Sequence, residues 1–144
     1  MKERACVMLT SMTLTTDDRV AIYELIALHG HLMDAGEFDR LGELFTDDFV
    51  YDVEAFGFGS LEGATALEEA SRALGDSNPL GHHVTNALVI ADDANEATVR
   101  SKGIGILVDG TSGTVVYEDV VRRTPAGWRI ARRTVIPRQR PLHP

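Results

Sequence analysis

Three kinds of side chain in this sequence could carry acid–base chemistry. Gly81-His82-His83-Val84-Thr85-Asn86 sets two of the five histidines side by side, ahead of the apolar run Ala87-Leu88-Val89-Ile90. The turn residues Asp76-Ser77-Asn78-Pro79 come just before it. The stretch reads as a β-strand with a polar beginning and a core end. Alternation along a strand sends His82, Val84 and Asn86 to one face and His83 and Thr85 to the other. One imidazole can then look into a cavity, as a proton acceptor, while its neighbour looks out. The second kind is Asp34, a carboxylate near the C-terminal end of a largely apolar helical face. The helix dipole opposes a negative charge there, so another group must stabilise it. The third kind is a set of donors: His29, Tyr23, Tyr51 and the arginines. Seven arginines fall in the last 23 residues. Most suit a solvated strand face and a basic tail, and one kept inside would suit an anionic or enolate-like group.

These residues need elements to hold them. Thr15-Thr16-Asp17-Asp18 is a helix start, with a threonine cap and acids where the dipole favours them. The helix runs from Asp17 to about Ala35. Ile22, Ile26, His29 and Met33 lie on one stripe, and Tyr23, Ala27, Gly30 and Asp34 on the next. Gly36 is its stop. A short second helix spans Glu37 to Phe45, a strand Phe49 to Val53, and a third helix Gly63 to Leu74. Between the last two, Ala55-Phe56-Gly57-Phe58-Gly59-Ser60 reads as a bulged edge or a flap that lays Phe56 and Phe58 over a pocket. It lacks the spacing of a phosphate loop. From residue 80 the hydrophobic period changes to two, with strands at about 80–91, 95–108, 112–124 and 127–137 joined by short turns. Such connections imply antiparallel hairpins. Helices first and a meander last predict an α+β domain, a curved antiparallel sheet closed into a cone by the N-terminal helices. An apolar cone with a few polar groups is the usual form of a small-molecule pocket.

Composition bounds the rest. A chain of 144 residues, 44% hydrophobic and 25% charged, is one globular domain. The expected organisation is a flexible segment 1–14, one domain 15–137 and a basic, proline-rich tail 138–144. No apolar run approaches a membrane span, and the N-terminus lacks the features of a signal peptide, so a cytoplasmic location is expected. The net charge of −8 argues against nucleic acid as a partner. The single Cys6 allows no internal disulfide and no cysteine-based metal cluster. His82, His83 and Asp34 are a poor metal set because adjacent strand residues point apart, so no metal is expected.

The order of motifs resembles a known family. Asp17-Asp18 leads into Ile22-Tyr23-Glu24-Leu25. Asp34 precedes Phe38-Asp39-Arg40-Leu41 and Leu44-Phe45-Thr46-Asp47-Asp48. Then come Gly63, His82-His83-Val84-Thr85-Asn86, Gly113 with Tyr117-Glu118-Asp119, and Gly127-Trp128-Arg129-Ile130 with Arg133. Over residues 15–137 this is similar to the SnoaL-like branch of the nuclear-transport-factor-2-like superfamily, with scytalone dehydratase and ketosteroid isomerase relatives. The resemblance implies a cone-shaped α+β fold, often a homodimer, with no cofactor. It implies an Asp late in the first helix, here Asp34, paired with a His early in a sheet strand. It selects His82 over His83, and it matches Arg133 to an arginine of the last strand.

In such a pair the carboxylate fixes the imidazole tautomer and stabilises the imidazolium once it forms. The free nitrogen takes a proton beside a carbonyl or opposite a leaving group, a contribution of roughly 10²–10⁴-fold. A second donor assists the leaving hydroxide or holds a developing oxyanion. His29, Tyr23, Tyr51 and Arg133 are the candidates, and family placement favours Tyr51. The expected catalytic set is Asp34, His82, Arg133 and Tyr51. His29, Tyr23, His83, Phe56, Phe58 and Asn86 are expected to bind the substrate. Two functions remain open. One is a cofactor-free lyase or isomerase, of dehydratase type, acting on a small apolar polyketide-, steroid- or aromatic-type molecule. The other is a non-catalytic binding or assembly module on the same fold, comparable to a dioxygenase small subunit. Homodimerisation through the sheet is expected in either case.

Overall fold

The structure, a computed structural model, describes residues 13–142. Helix α1 spans Thr16–Ala35 and begins in a capping box. The Asp18 backbone N–H donates to Thr15 Oγ1 at 3.1 Å, and the Thr15 N–H donates to the Asp18 carboxylate at 3.0 Å. Asp18 also accepts from the two terminal Arg123 nitrogens and the Trp128 indole N–H. The cap thereby ties the helix start to the far end of the sheet, and these bonds, Arg123 foremost, hold the Asp18 carboxyl well below the usual carboxylate range. Gly36, at φ 66°, closes α1 by donating to Leu32 and Met33. The helix buries Ile22, Leu25, Ile26, His29, Gly30 and Leu32.

The expected second helix is only a 3₁₀ segment, Phe38–Glu43. Ile130 donates to the Leu44 carbonyl at 2.9 Å, which draws the chain into the sheet before an α-helix can continue. Strand β1 therefore starts early, at Phe45, and runs to Asp52. After the short strand β2 (Ser60–Glu62) comes helix α2 (Gly63–Leu74). The meander follows as β3 (Gly81–Asp92), β4 (Glu96–Ile106), β5 (Ser112–Thr124) and β6 (Gly127–Arg138).

The six strands form one sheet in the order β2-β1-β6-β5-β4-β3. It is α+β, as expected, curved and not closed into a barrel. The sheet is not wholly antiparallel: β1 runs parallel to β6. The crossover through β2 and α2 carries the chain to the opposite edge, and the meander then works back until β6 meets β1. The core gathers Ile22, Ile26, Leu41, Leu44, Phe49 and Val99 on the inner face. Leu14, assigned from sequence to the loose segment, is buried, and its N–H donates to Asp92 at 3.0 Å. Residues 1–12 of that segment, and 143–144 of the tail, lie outside the described residues.

Gly30 sets how closely helix and sheet meet. A Cβ there would stand 2.5 Å from the His82 carbonyl oxygen. Only glycine lets β3 lie against α1 at this point, one helical turn before Asp34.

Candidate active site

Asp34 and His82 are joined by three contacts. The His82 backbone N–H lies 3.0 Å from each carboxylate oxygen. His82 Nδ1 stands 2.6 Å from Oδ1. An ionised carboxylate only accepts, so Nδ1 carries the proton and Nε2 is left as the free nitrogen. The partner that Asp34 needs at the helix C-terminus is thus the first turn of β3. The side chains are 28% and 20% exposed, so the pair opens to solvent at the edge of the sheet.

Behind the pair lies a buried polar interior. His29 is 1% exposed and meets the His82 ring edge-on, with 5.7 Å between centroids. His29 Nε2 and the Tyr51 hydroxyl lie 3.2 Å apart, a hydrogen bond. The His29 pKa falls well below 6.5, first because of burial, then because of repulsion from the Arg133 charge and from the neighbouring His82 ring whenever that is protonated. His29 is therefore a neutral imidazole in the fold. Burial pushes the Tyr51 hydroxyl above its usual range. Arg133 reaches in from β6 with no exposed surface and forms a two-pronged pair with Asp119, at 2.7 Å on each prong. Burial works against the guanidinium charge, but the Asp119 carboxylate outweighs it.

The β3 alternation holds for the first residues: His82 and Val84 face in, while His83 and Thr85 are exposed. It then breaks. Asn86 and Ala87 together oppose Ser101, because Thr85 pairs with Lys102 and Leu88 with Arg100. This is a β-bulge, and Asn86 takes φ 55°, a conformation asparagine tolerates better than most residues. Asn86 is exposed and does not share the face of His82, the correction to the strict alternation expected from sequence. Tyr23, Phe56 and Phe58 are also exposed, at 38, 44 and 60%. The structure thus brings together Asp34, His82, His29, Tyr51 and Arg133, and leaves Tyr23, Phe56, Phe58, His83 and Asn86 toward solvent.

Two interior residues escaped the sequence reading. The Tyr117 ring lies under the Arg133 guanidinium at 4.2 Å and beside His29 at 5.6 Å. It rests on Gly103, where a Cβ would come within 2.5 Å of the ring. Asp119 is the counter-charge of Arg133. The signal was available in Tyr117, Asp119 and Val121, which share one strand face. An acid between two core residues demands a buried cation. Three buried polar atoms of this interior, His29 Nδ1, Ser101 Oγ and Arg133 Nη1, have no hydrogen-bond partner among the described residues. Two surface grooves of about 370 and 340 Å³ lie elsewhere, and neither includes Asp34 or His82. No group of His, Cys, Asp and Glu among the described residues has the arrangement of a metal site. No described helix is long and apolar enough to cross a membrane.

The sequence profile of the SnoaL-like domain matches residues 15–134. A nuclear-transport-factor-2-like protein with a cystatin-like fold from Novosphingobium aromaticivorans is 34% identical, with a TM-score of 0.69 over 83% of this chain and 80% of that one. A protein from the same organism, provisionally assigned as an aromatic ring hydroxylase, is 28% identical, with a TM-score of 0.73 over 91% and 93%. A hexachlorocyclohexane dehydrochlorinase from Novosphingobium barchaimii shares the fold at 20% identity, with a TM-score of 0.70 over 85% and 88%. The match spans the whole layout from the capping box of α1 to Thr134 in β6, and the chain belongs to the SnoaL-like family.

Proposed function

We propose that this chain is a cofactor-free lyase or isomerase of dehydratase type, acting on a small apolar polyketide-, steroid- or aromatic-type molecule. The observation that carries the reading is the 2.6 Å contact between His82 Nδ1 and Asp34, at a solvent-open edge. Asp34 holds the ring through Nδ1, so Nε2 is presented as the base. As the base takes a proton, Asp34 offsets the new imidazolium charge. Negative charge then develops on the substrate. Arg133 is already matched by Asp119 and adds no net charge. The Tyr51 hydroxyl, bonded to the neutral His29, keeps its proton and hydrogen-bonds the developing oxyanion. The proton taken by His82 passes to the leaving hydroxide, which departs as water. His29 serves as a positioning residue for Tyr51. The dehydrochlorinase named above performs an elimination on the same fold, which supports the class of reaction.

The test is elimination followed by ultraviolet absorbance, on a panel of apolar β-hydroxy ketones and chlorinated rings. Asp34→Asn and His82→Gln should each lower kcat/KM by roughly 10²–10⁴-fold, the usual contribution of a general base. Turnover that survives both substitutions would sink the assignment.

One observation favours the second reading, a non-catalytic module. Leu88, Ile90, Ile104 and Ile106 are exposed along β3 and β4, an apolar sheet face suited to a partner. We assign this face to a second copy of the chain in either reading. A wild-type protein that forms a stable dimer but turns over nothing in the panel would favour the module.

A further inference from the structure

The end of β6 and the residues after it form, with β4 and β5, the groove of about 370 Å³. Such a volume lies within the range of small-molecule sites, about 300–1,000 Å³. Its walls include Lys102, Arg138 and Arg140, together with the Thr114 hydroxyl. Elsewhere in the sheet the cations are matched, all but Arg129 by a carboxylate, and Arg129 donates to the Gly42 and Trp128 carbonyls. Arg100 pairs with Glu118, Arg122 with Glu96, Arg132 with Asp52 and Arg133 with Asp119. Arg123 pairs with Asp18. Lys102, Arg138 and Arg140 have no ion pair among the described residues. This is notable in a chain with 22 acids and only 14 basic residues, where counter-charge is in surplus. Three like charges around one concavity repel each other, and an anion placed among them relieves that repulsion. The remaining wall is Val115, Val116, Pro141 and the polar Gln139, and of the two valines Val115 also packs against the core.

We propose that this groove is a binding site for an amphiphilic anion, a small molecule with a phosphate, sulfate or carboxylate head and an apolar body. Arg138 and Arg140 grip the head with forked N–H groups that match its oxygens, and Lys102 adds a point charge. Val116 and Pro141 cover the body. The site does not include Asp34 or His82, and it stands independently of the catalytic reading.

The experiment is a titration of the ¹⁵N-labelled full chain at constant ionic strength, followed by amide chemical shifts. The probes are phenyl phosphate, benzoate and inorganic phosphate. Saturable shifts should appear at Lys102, Thr114–Val116 and Arg138–Arg140. Phenyl phosphate should bind about tenfold tighter than inorganic phosphate, because its ring removes apolar wall from water. Arg138→Gln and Arg140→Gln should each weaken it about tenfold through the loss of charge-assisted hydrogen bonds. Both residues are exposed, so the variants should keep the dispersed spectrum of the folded chain. Arg100→Gln, at a cation already paired with Glu118, should leave binding unchanged. Comparison of phenyl phosphate with benzoate identifies the head group. Shifts that fail to saturate overturn the proposal. So does a site that weakens as much in Arg100→Gln as in Arg138→Gln.

Discussion

Removing one carboxylate from the interior should cost this protein a large share of its stability. Asp119→Ala leaves the Arg133 guanidinium buried with no counter-charge. The pair makes two bonds of 2.7 Å, and neither side chain has exposed surface. Hydrogen bonds to charged groups contribute roughly 1.5–3 kcal/mol each, so two of them set the loss at about 3 kcal/mol or more. Breaking a buried pair from one side typically costs about 3–5 kcal/mol, because the remaining charge is uncompensated. Against a total stability of about 5–15 kcal/mol, that loss is between about a fifth of the whole and all of it. The double variant Asp119→Leu with Arg133→Met removes both charges and should recover most of the loss. Urea unfolding followed by circular dichroism measures all of these differences. A single variant that loses less than about 1 kcal/mol would refute the reasoning. A double variant no more stable than the single would do so too, because the cost would then come from packing and not from charge.

Two further outcomes follow from the geometry. Gly30→Ala should destabilise the fold despite the better helix propensity of alanine, about 1 kcal/mol, because its Cβ would lie 2.5 Å from the His82 carbonyl oxygen. A thermal scan and the ¹⁵N shift of His82 Nδ1 check it, and a raised Tm with an unchanged His82 signal would contradict the close approach. The depressed pKa of His29 makes stability pH-dependent. Below about pH 6.5 the unfolded chain binds a proton that the folded chain refuses, so this contribution is complete above that pH and is lost as the pH falls toward the folded value. The limiting slope is about 1.4 kcal/mol per pH unit. Urea unfolding at pH 7.5, 6.5 and 5.5 should show this loss in the wild type and not in His29→Met. A difference between the two proteins that does not change with pH would argue against a buried neutral His29.

Local patterns made most of this architecture legible. Thr15 and Asp18 announce the capping box of α1, Gly36 announces its end, and the period of two after residue 80 announces the meander, because caps, stops and strand alternation depend on neighbours in the chain. Asp34 was legible as a carboxylate in need of a partner for the same reason, since its position against the helix dipole is a local fact. Which group answered that need was a long-range matter. The sequence separation between Asp34 and His82 is 48 residues, and only the seating of β3 on Gly30 brings them to 2.6 Å. The bulge that turns Asn86 to solvent arises from register with β4, which no pattern within β3 reveals. The parallel pairing of β1 with β6 likewise depends on where the crossover returns the chain. Composition counted the arginines but could not say which was inside. Arg133 is buried because Asp119 stands opposite it on the neighbouring strand, and a charge can leave water only where a partner is already waiting.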